Sequence, residues 1–126
     1  MTGARRPRPL VGRLLMAVGA IHVAITPLLM PDSVRSIVEV GVLGSVEADP
    51  SLAQLRGIGF WYVTAGLGLV VVGRAVDELE GSDQGLPGAV PALLAGVGVW
   101  GAALMPKSPF WVVLALAVLG WTRRRR

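Results

Sequence analysis

The sequence predicts an all-α integral membrane protein, a four-helix bundle with a short extracytoplasmic amphipathic helix between spans one and two. Three observations predict it. Only 16% of the 126 residues are charged and the mean hydropathy is +0.64, whereas soluble domains are about a quarter charged. Charges are missing altogether from residues 14–31, 57–73, 84–106 and 108–122, runs of 18, 17, 23 and 15 residues. A spanning helix needs roughly 17–25 apolar residues, so three runs suffice and the fourth is short. Finally, four crossings with both termini cytoplasmic put nine of the twelve Lys and Arg residues inside, as the positive-inside bias requires.

The chain reads as a single membrane domain over residues 1–126, with spans at about 10–30, 56–74, 86–105 and 108–123. Arg5, Arg6, Arg8 and Arg13 open span one. Its apolar run is longer than the roughly 7–15 residues of a signal-peptide core and no A-x-A site follows, so it reads as a retained helix. Next comes "DSVRSIVEVGVLGSVEADP", in which Val34, Ile37 and Val38 fall on one helical face and Arg35 and Glu39 on another. Asp32 or Ser33 is the expected N-cap. An amphipathic helix ending near Gly44 is expected to lie on the outer membrane surface. Between spans two and three, "RAVDELEGSDQGLPG" reads as a solvated acidic linker, and "MPKSP" as a tight hairpin between spans three and four. The short fourth span can extend into Arg123–Arg126, because arginine stems lie along apolar surface while their heads reach the interface.

Membrane helices associate through small residues that let backbones approach. Gly59, Gly66 and Gly73 recur every seven residues in span two, as do Gly12, Gly19 and Thr26 in span one; both series mark packing faces. Span three offers Gly88, Ala92, Ala95 and Ala102. Trp61 points away from the glycine face, toward lipid, whereas Tyr62 and Arg56 flank it.

The chain has no cysteine and one histidine. With no carboxylate within any apolar run, catalytic pairs, nucleophilic triads and metal sites have no material, and no cofactor is expected. The basic termini fit membrane orientation and anionic lipid better than nucleic acid. His22 lies on or beside the glycine face of span one, at a depth that allows it to meet Tyr62. Pro27 cannot satisfy the carbonyl of Val23, which Thr26, water or a ligand could use instead. Two readings stay open for His22: a packed neutral imidazole bonded to Tyr62 or a carbonyl, or a ligand or proton group, since an ionisable residue within a span is by default a functional candidate. The second reading makes His22, Arg56, Tyr62 and Thr26 a site for a lipophilic molecule, with Arg56 attracting an anionic or carbonyl-bearing head group.

Three segments, "GAIHVAI", "LRGIGFWYVTAGLGLVVVG" and "LPGAVPALLAGVGVWGAALMPKSPFWVVLALAVL", resemble small bacterial four-span membrane proteins of domain-of-unknown-function family 6463. The shared pattern falls on Gly19 and His22, on Arg56 with Phe60 and Trp61, and on Pro106 with Phe110 and Trp111. Where the family has Ser-Gly before the last Phe-Trp, this chain has Ser108 and Pro109. A looser resemblance to the DoxX-like four-helix proteins implies a tie to quinone or redox systems. Eleven Arg against one Lys, with no Asn, also suit a GC-rich bacterial source. The expectation is therefore a multi-pass protein of the bacterial inner membrane, a non-enzymatic module that binds a lipophilic molecule or a partner. Its contacts would be membrane lipids, a quinone-like molecule or a second copy of itself. The alternative is a quinone-linked or lipid-modifying enzyme subunit in which His22 carries protons. The topology is checked by reporters fused after Arg126: one active only in the cytoplasm is expected to work, and activity only from an extracytoplasmic reporter would contradict four crossings.

Overall fold

The computed structural model describes residues 8–124. Arg5, Arg6, Arg125 and Arg126, counted above among the inside charges, lie outside them. The described residues form five helices: α1 (Val11–Leu29), α2 (Pro31–Glu39), α3 (Ala53–Gly81), α4 (Ala89–Leu104) and α5 (Phe110–Arg123). Extended structure among them is limited to one isolated bridge between Leu86 and Arg124. The all-α expectation holds. Only α1 and α3, each with mean hydropathy 1.6, are long and apolar enough to cross a membrane. With 16 and 14 residues, α4 and α5 extend only about 21–24 Å at 1.5 Å per residue, short of a hydrocarbon core of about 30 Å.

The chain divides into two compact units, Met16–Val71 and the two ends of the chain, up to Leu15 and from Val72 on. In Met16–Val71, α1 and α3 touch backbone to backbone. A Cβ at Gly19 would lie 2.5 Å from the Gly66 carbonyl oxygen and 2.8 Å from the Val70 nitrogen. One at Gly66 would lie 2.7 Å from Val23 Cγ2 and 3.0 Å from the Gly19 oxygen. Any side chain at either position would force these helices apart. Trp61 is exposed on the far face of α3.

The helix after α1 differs from expectation in three respects. Its N-cap position is Met30, with no side-chain cap, and Pro31 fills the first turn, where a missing N–H costs nothing. Ser33 is buried and accepts instead from the Gly59 N–H across to α3, at 3.0 Å; a Cβ at Gly59 would collide with that hydroxyl. The helix also stops at Glu39, not near Gly44, because Gly41 takes a φ of +92° that ends α-helical geometry. Val38 does not join Ile37 on the inner face and is exposed.

In the unit formed by the chain ends, only residues 82–88 of the segment read as an acidic linker connect two helices; the part before them is helical. It continues α3 to Gly81. The first N–H groups of a helix have no intrahelical acceptor, and α1 has no acidic residue in its first turn. Glu80 supplies the acceptor: its Oε2 takes the N–H of Leu10 at 3.0 Å and of Gly12 at 2.9 Å. The negative charge also suits the positive end of the helix dipole. Arg123 donates to the Arg8 carbonyl at 2.8 Å and lies 4.0 Å from Glu80, while Asp77 pairs with Arg13 and Arg74. Gly12 fits against the backbone of Gly73 and Asp77 with no room for a Cβ.

The α4–α5 hairpin follows the Pro-bounded turn, where Trp111 Nε1 donates to the Pro106 carbonyl at 2.9 Å. Of the expected packing face of Gly88, Ala92, Ala95 and Ala102, Ala102 is buried and Ala95 half-buried, whereas Gly88 and Ala92 are exposed. The buried residues of α4 are Pro91, Gly98, Gly101 and Ala102, and a Cβ at Gly88 would meet nothing within 4 Å. The partner decides this: Phe110 and Leu114 occupy the space that Gly101 and Gly98 leave open.

Gly66→Leu is expected to destabilise the protein by at least ~1–3 kcal/mol, the usual range for overpacking. Gly68→Ala, where a Cβ meets nothing within 4 Å, should be neutral or stabilising by up to about 1 kcal/mol. Denaturant unfolding in mixed micelles reads both.

Candidate functional site

The α1–α3 contact fixes an antiparallel register. Three residues along α1 from Gly19, and four back along α3 from Gly66, His22 and Tyr62 meet. Their rings stack with centroids 3.8 Å apart and planes 13° from parallel. The meeting takes the form of a face-to-face stack and not of a hydrogen bond. Neither imidazole nitrogen nor the Tyr62 hydroxyl has a hydrogen-bond partner among the described residues, and none of these atoms is fully enclosed. The pair therefore presents a hydroxyl and two ring nitrogens side by side.

Thr26, one turn on, is buried, and its hydroxyl donates to the His22 carbonyl at 2.9 Å. It does not turn to Val23, whose carbonyl Pro27 leaves without an N–H. The threonine reinforces the backbone of the helical turn that carries the imidazole, and has no donor left for a ligand.

Arg56 departs furthest from expectation. It is only 3% exposed. Its Nε donates to Ser36 Oγ at 2.8 Å and its Nη1 to the Ser45 carbonyl at 2.8 Å. The guanidinium thus ties α2 and the following loop to the first turn of α3, and does not lie beside the ring pair. No carboxylate among the described residues pairs with it directly. Its charge is felt at Asp49, held below the usual carboxylate range by the Ser51 hydroxyl and backbone N–H at 2.7 and 2.8 Å, with a smaller contribution from the Arg56 charge. A shallow cleft of about 260 Å³ opens nearby, lined by Val42, Gly44, Ser45, Val46, Glu47 and Phe60.

Of the four candidate residues, the fold brings His22 and Tyr62 into contact, sets Thr26 behind them and places Arg56 in a separate clasp. Sequence reasoning misses Ser36, Ser45 and Glu80, and gives Ser33 only the part of a candidate N-cap. Ser33 and Ser36 stand three residues apart on one face of a short helix, a spacing that could have marked them; nothing local marks Ser45. Among the described residues, no three His, Cys, Asp or Glu side chains converge as a metal site would require.

Architecture and site together describe an all-α protein with two helices of membrane-spanning length and an intrahelical histidine stacked on a tyrosine. Over residues 6–126 the chain matches the family of unknown function DUF6463, and it belongs to that family. No curated protein and no solved structure matches it.

Replacing Arg56 by Met would leave the Ser36 hydroxyl and Ser45 carbonyl unpaired, at a cost of about 1–3 kcal/mol each if they stay buried. Hydrogen exchange by mass spectrometry should then quicken over residues 40–49. Arg56→Lys should recover only part of the protection, because one ammonium cannot reproduce the fork of the guanidinium.

Proposed function

We propose that the protein is a four-span protein of the bacterial inner membrane that binds a lipophilic molecule carrying a carbonyl or hydroxyl group, through His22 and Tyr62. The observation that carries this reading is the stacked pair with unpartnered polar atoms. Hydrocarbon offers nothing to hydrogen-bond, and an unsatisfied polar group there costs several kcal/mol. Two such groups side by side on helices of spanning length call for a partner. A neutral imidazole can donate from one nitrogen and accept at the other, while the phenol can do either. Together they suit a lipophilic ring compound of the quinone type, whose carbonyl would accept a hydrogen bond from the Tyr62 hydroxyl. Glycine-lined helices hold the pair rigidly, so little ordering accompanies binding.

The four-span reading draws support from the chain ends. Glu80 joins the start of α1 to the end of α3, and the Leu86–Arg124 bridge joins the start and finish of the α4–α5 hairpin. These junctions gather Arg8, Arg13, Arg74 and Arg123 at a single end, the arrangement expected of a cytoplasmic face. The shorter hairpin helices would cross with help from the arginine stems and the Trp121–Arg124 contact at 4.4 Å.

Native mass spectrometry in gentle lipid mimetics, with extraction of bound lipids, tests the reading. A defined lipophilic compound should accompany the wild type and be retained at least about tenfold less by His22→Phe, which keeps the stack and loses both nitrogens; tenfold corresponds to about 1.4 kcal/mol, one hydrogen bond. Equal amounts of bulk phospholipid alone on both proteins would sink it.

A further inference from the structure

The loop that Arg56 holds has a construction that neither ring chemistry nor helix packing explains. Its two ends are fixed by one side chain, Ser36 by Nε and the Ser45 carbonyl by Nη1. Between them the chain doubles back tightly. Val42 N donates to the Ile37 carbonyl at 3.1 Å, Leu43 N to the Gly41 carbonyl at 2.6 Å, and Ser45 N to the Val42 carbonyl at 3.1 Å. Gly41 and Gly44 take positive φ, as glycine readily does, but Val42 does so as well, at +62°. A β-branched residue there is strained, and strain of this kind persists only where the surroundings impose it. Apolar side chains in and beside this turn face outward: Val38 at the end of α2, Val40 and Val42 are exposed, and Leu43 is 93% exposed. No charge occurs from residue 40 to residue 46.

We infer that the turn Val40–Leu43 is a membrane anchor that inserts into the boundary between lipid head groups and acyl chains. The inference rests on the reading that α1 and α3 cross the bilayer, and the position of the turn follows from how it is tied to them. Pro31 opens α2 two residues after α1 ends, and Arg56 stands in the first turn of α3, which begins at Ala53. Both ends of the loop are thereby pinned at the level where the spans meet the interface. An apolar tip at that height is next to lipid. The surrounding charges exclude attraction to anionic head groups, because Asp32, Glu39, Glu47 and Asp49 outnumber the one cation free of the clasp, Arg35. The partner is the apolar part of a lipid surface, entered by valine and leucine alone. In this arrangement the turn also fixes the depth of α1 and α3, so that the ring pair keeps its level in the membrane.

The absence of cysteine from the sequence makes the test direct. Single cysteines at Leu43, at Glu47 in the same connection and at Leu67 midway along α3 would each carry an environment-sensitive fluorophore, in the full chain reconstituted into phosphatidylcholine vesicles. Lipids spin-labelled near the head group or deep in the acyl chain serve as quenchers. The expected result is quenching of the Leu43→Cys probe by the shallow label at least threefold stronger than for Glu47→Cys, with deep quenching of Leu67→Cys. A Leu43→Cys probe as wet as that at Glu47, while Leu67→Cys is quenched, overturns the anchor and leaves the spanning reading standing. A blue-shifted but unquenched Leu43→Cys probe overturns it in favour of a protein partner or a second copy. If Leu67→Cys is also unquenched, the spanning reading fails and the anchor with it.

Discussion

Within Met16–Val71 everything depends on the contact in which Gly19 and Gly66 bring two helix backbones together without intervening side chains. Such contacts are strong in apolar surroundings because lipid gives leucine no reason to seek leucine, so dispersion between close backbones and a few polar links must hold helices together. The contact has a second consequence. By fixing how α1 and α3 are set against each other, it leaves only one place for His22, flat against Tyr62. Thr26 and Gly59 fall level with one another in the same register, and there Ser33 crosses to the Gly59 N–H. The stack is thus a product of glycine spacing as much as of the aromatic rings.

Polar groups among the described residues obey one rule, that each is given a partner where the fold buries it. Glu80 caps the start of α1, Thr26 bonds to the turn before it, and Arg56 is divided between a hydroxyl and a carbonyl. A buried guanidinium with only neutral acceptors is costly, since desolvation is repaid only by good geometry. The fork shape of arginine provides it, and the same fork holds α2 and the loop in place. The imidazole and phenol are not fully enclosed and have no protein partner among the described residues, which is why the proposed reading assigns them a ligand.

Much of the helical layout was legible in the sequence, because long charge-free runs mark apolar helices and seven-residue glycine spacing marks close packing between α1 and α3. The meeting of His22 with Tyr62 was legible too, from depth alone. What escaped was long-range. Nothing near Glu80 announces that the first N–H groups of α1, some seventy residues away in the chain, lack an acceptor, so an acidic helix end looked like a linker. Arg56 looked free because its acceptors are a serine in α2 and a backbone carbonyl, and a carbonyl leaves no mark on sequence. The face of α4 was partly misjudged for a related reason: Gly88 and Gly98 look alike until Phe110 and Leu114 choose between partners. The stack replaced the expected hydrogen bond because ring orientation is set by backbone approach, which spacing alone does not resolve.

The chain has one histidine and one tyrosine, so selective isotope labelling of both gives a spectrum with a single imidazole and a single phenol. Nuclear magnetic resonance of that sample in lipid nanodiscs measures the central claim, that glycine-mediated approach of α1 and α3 lays His22 on Tyr62. The account predicts imidazole resonances displaced upfield by the phenol ring current, direct cross-peaks between the two rings, and loss of both in Gly66→Leu. Imidazole shifts like those of an unstructured peptide, with no cross-peak to tyrosine, would contradict it.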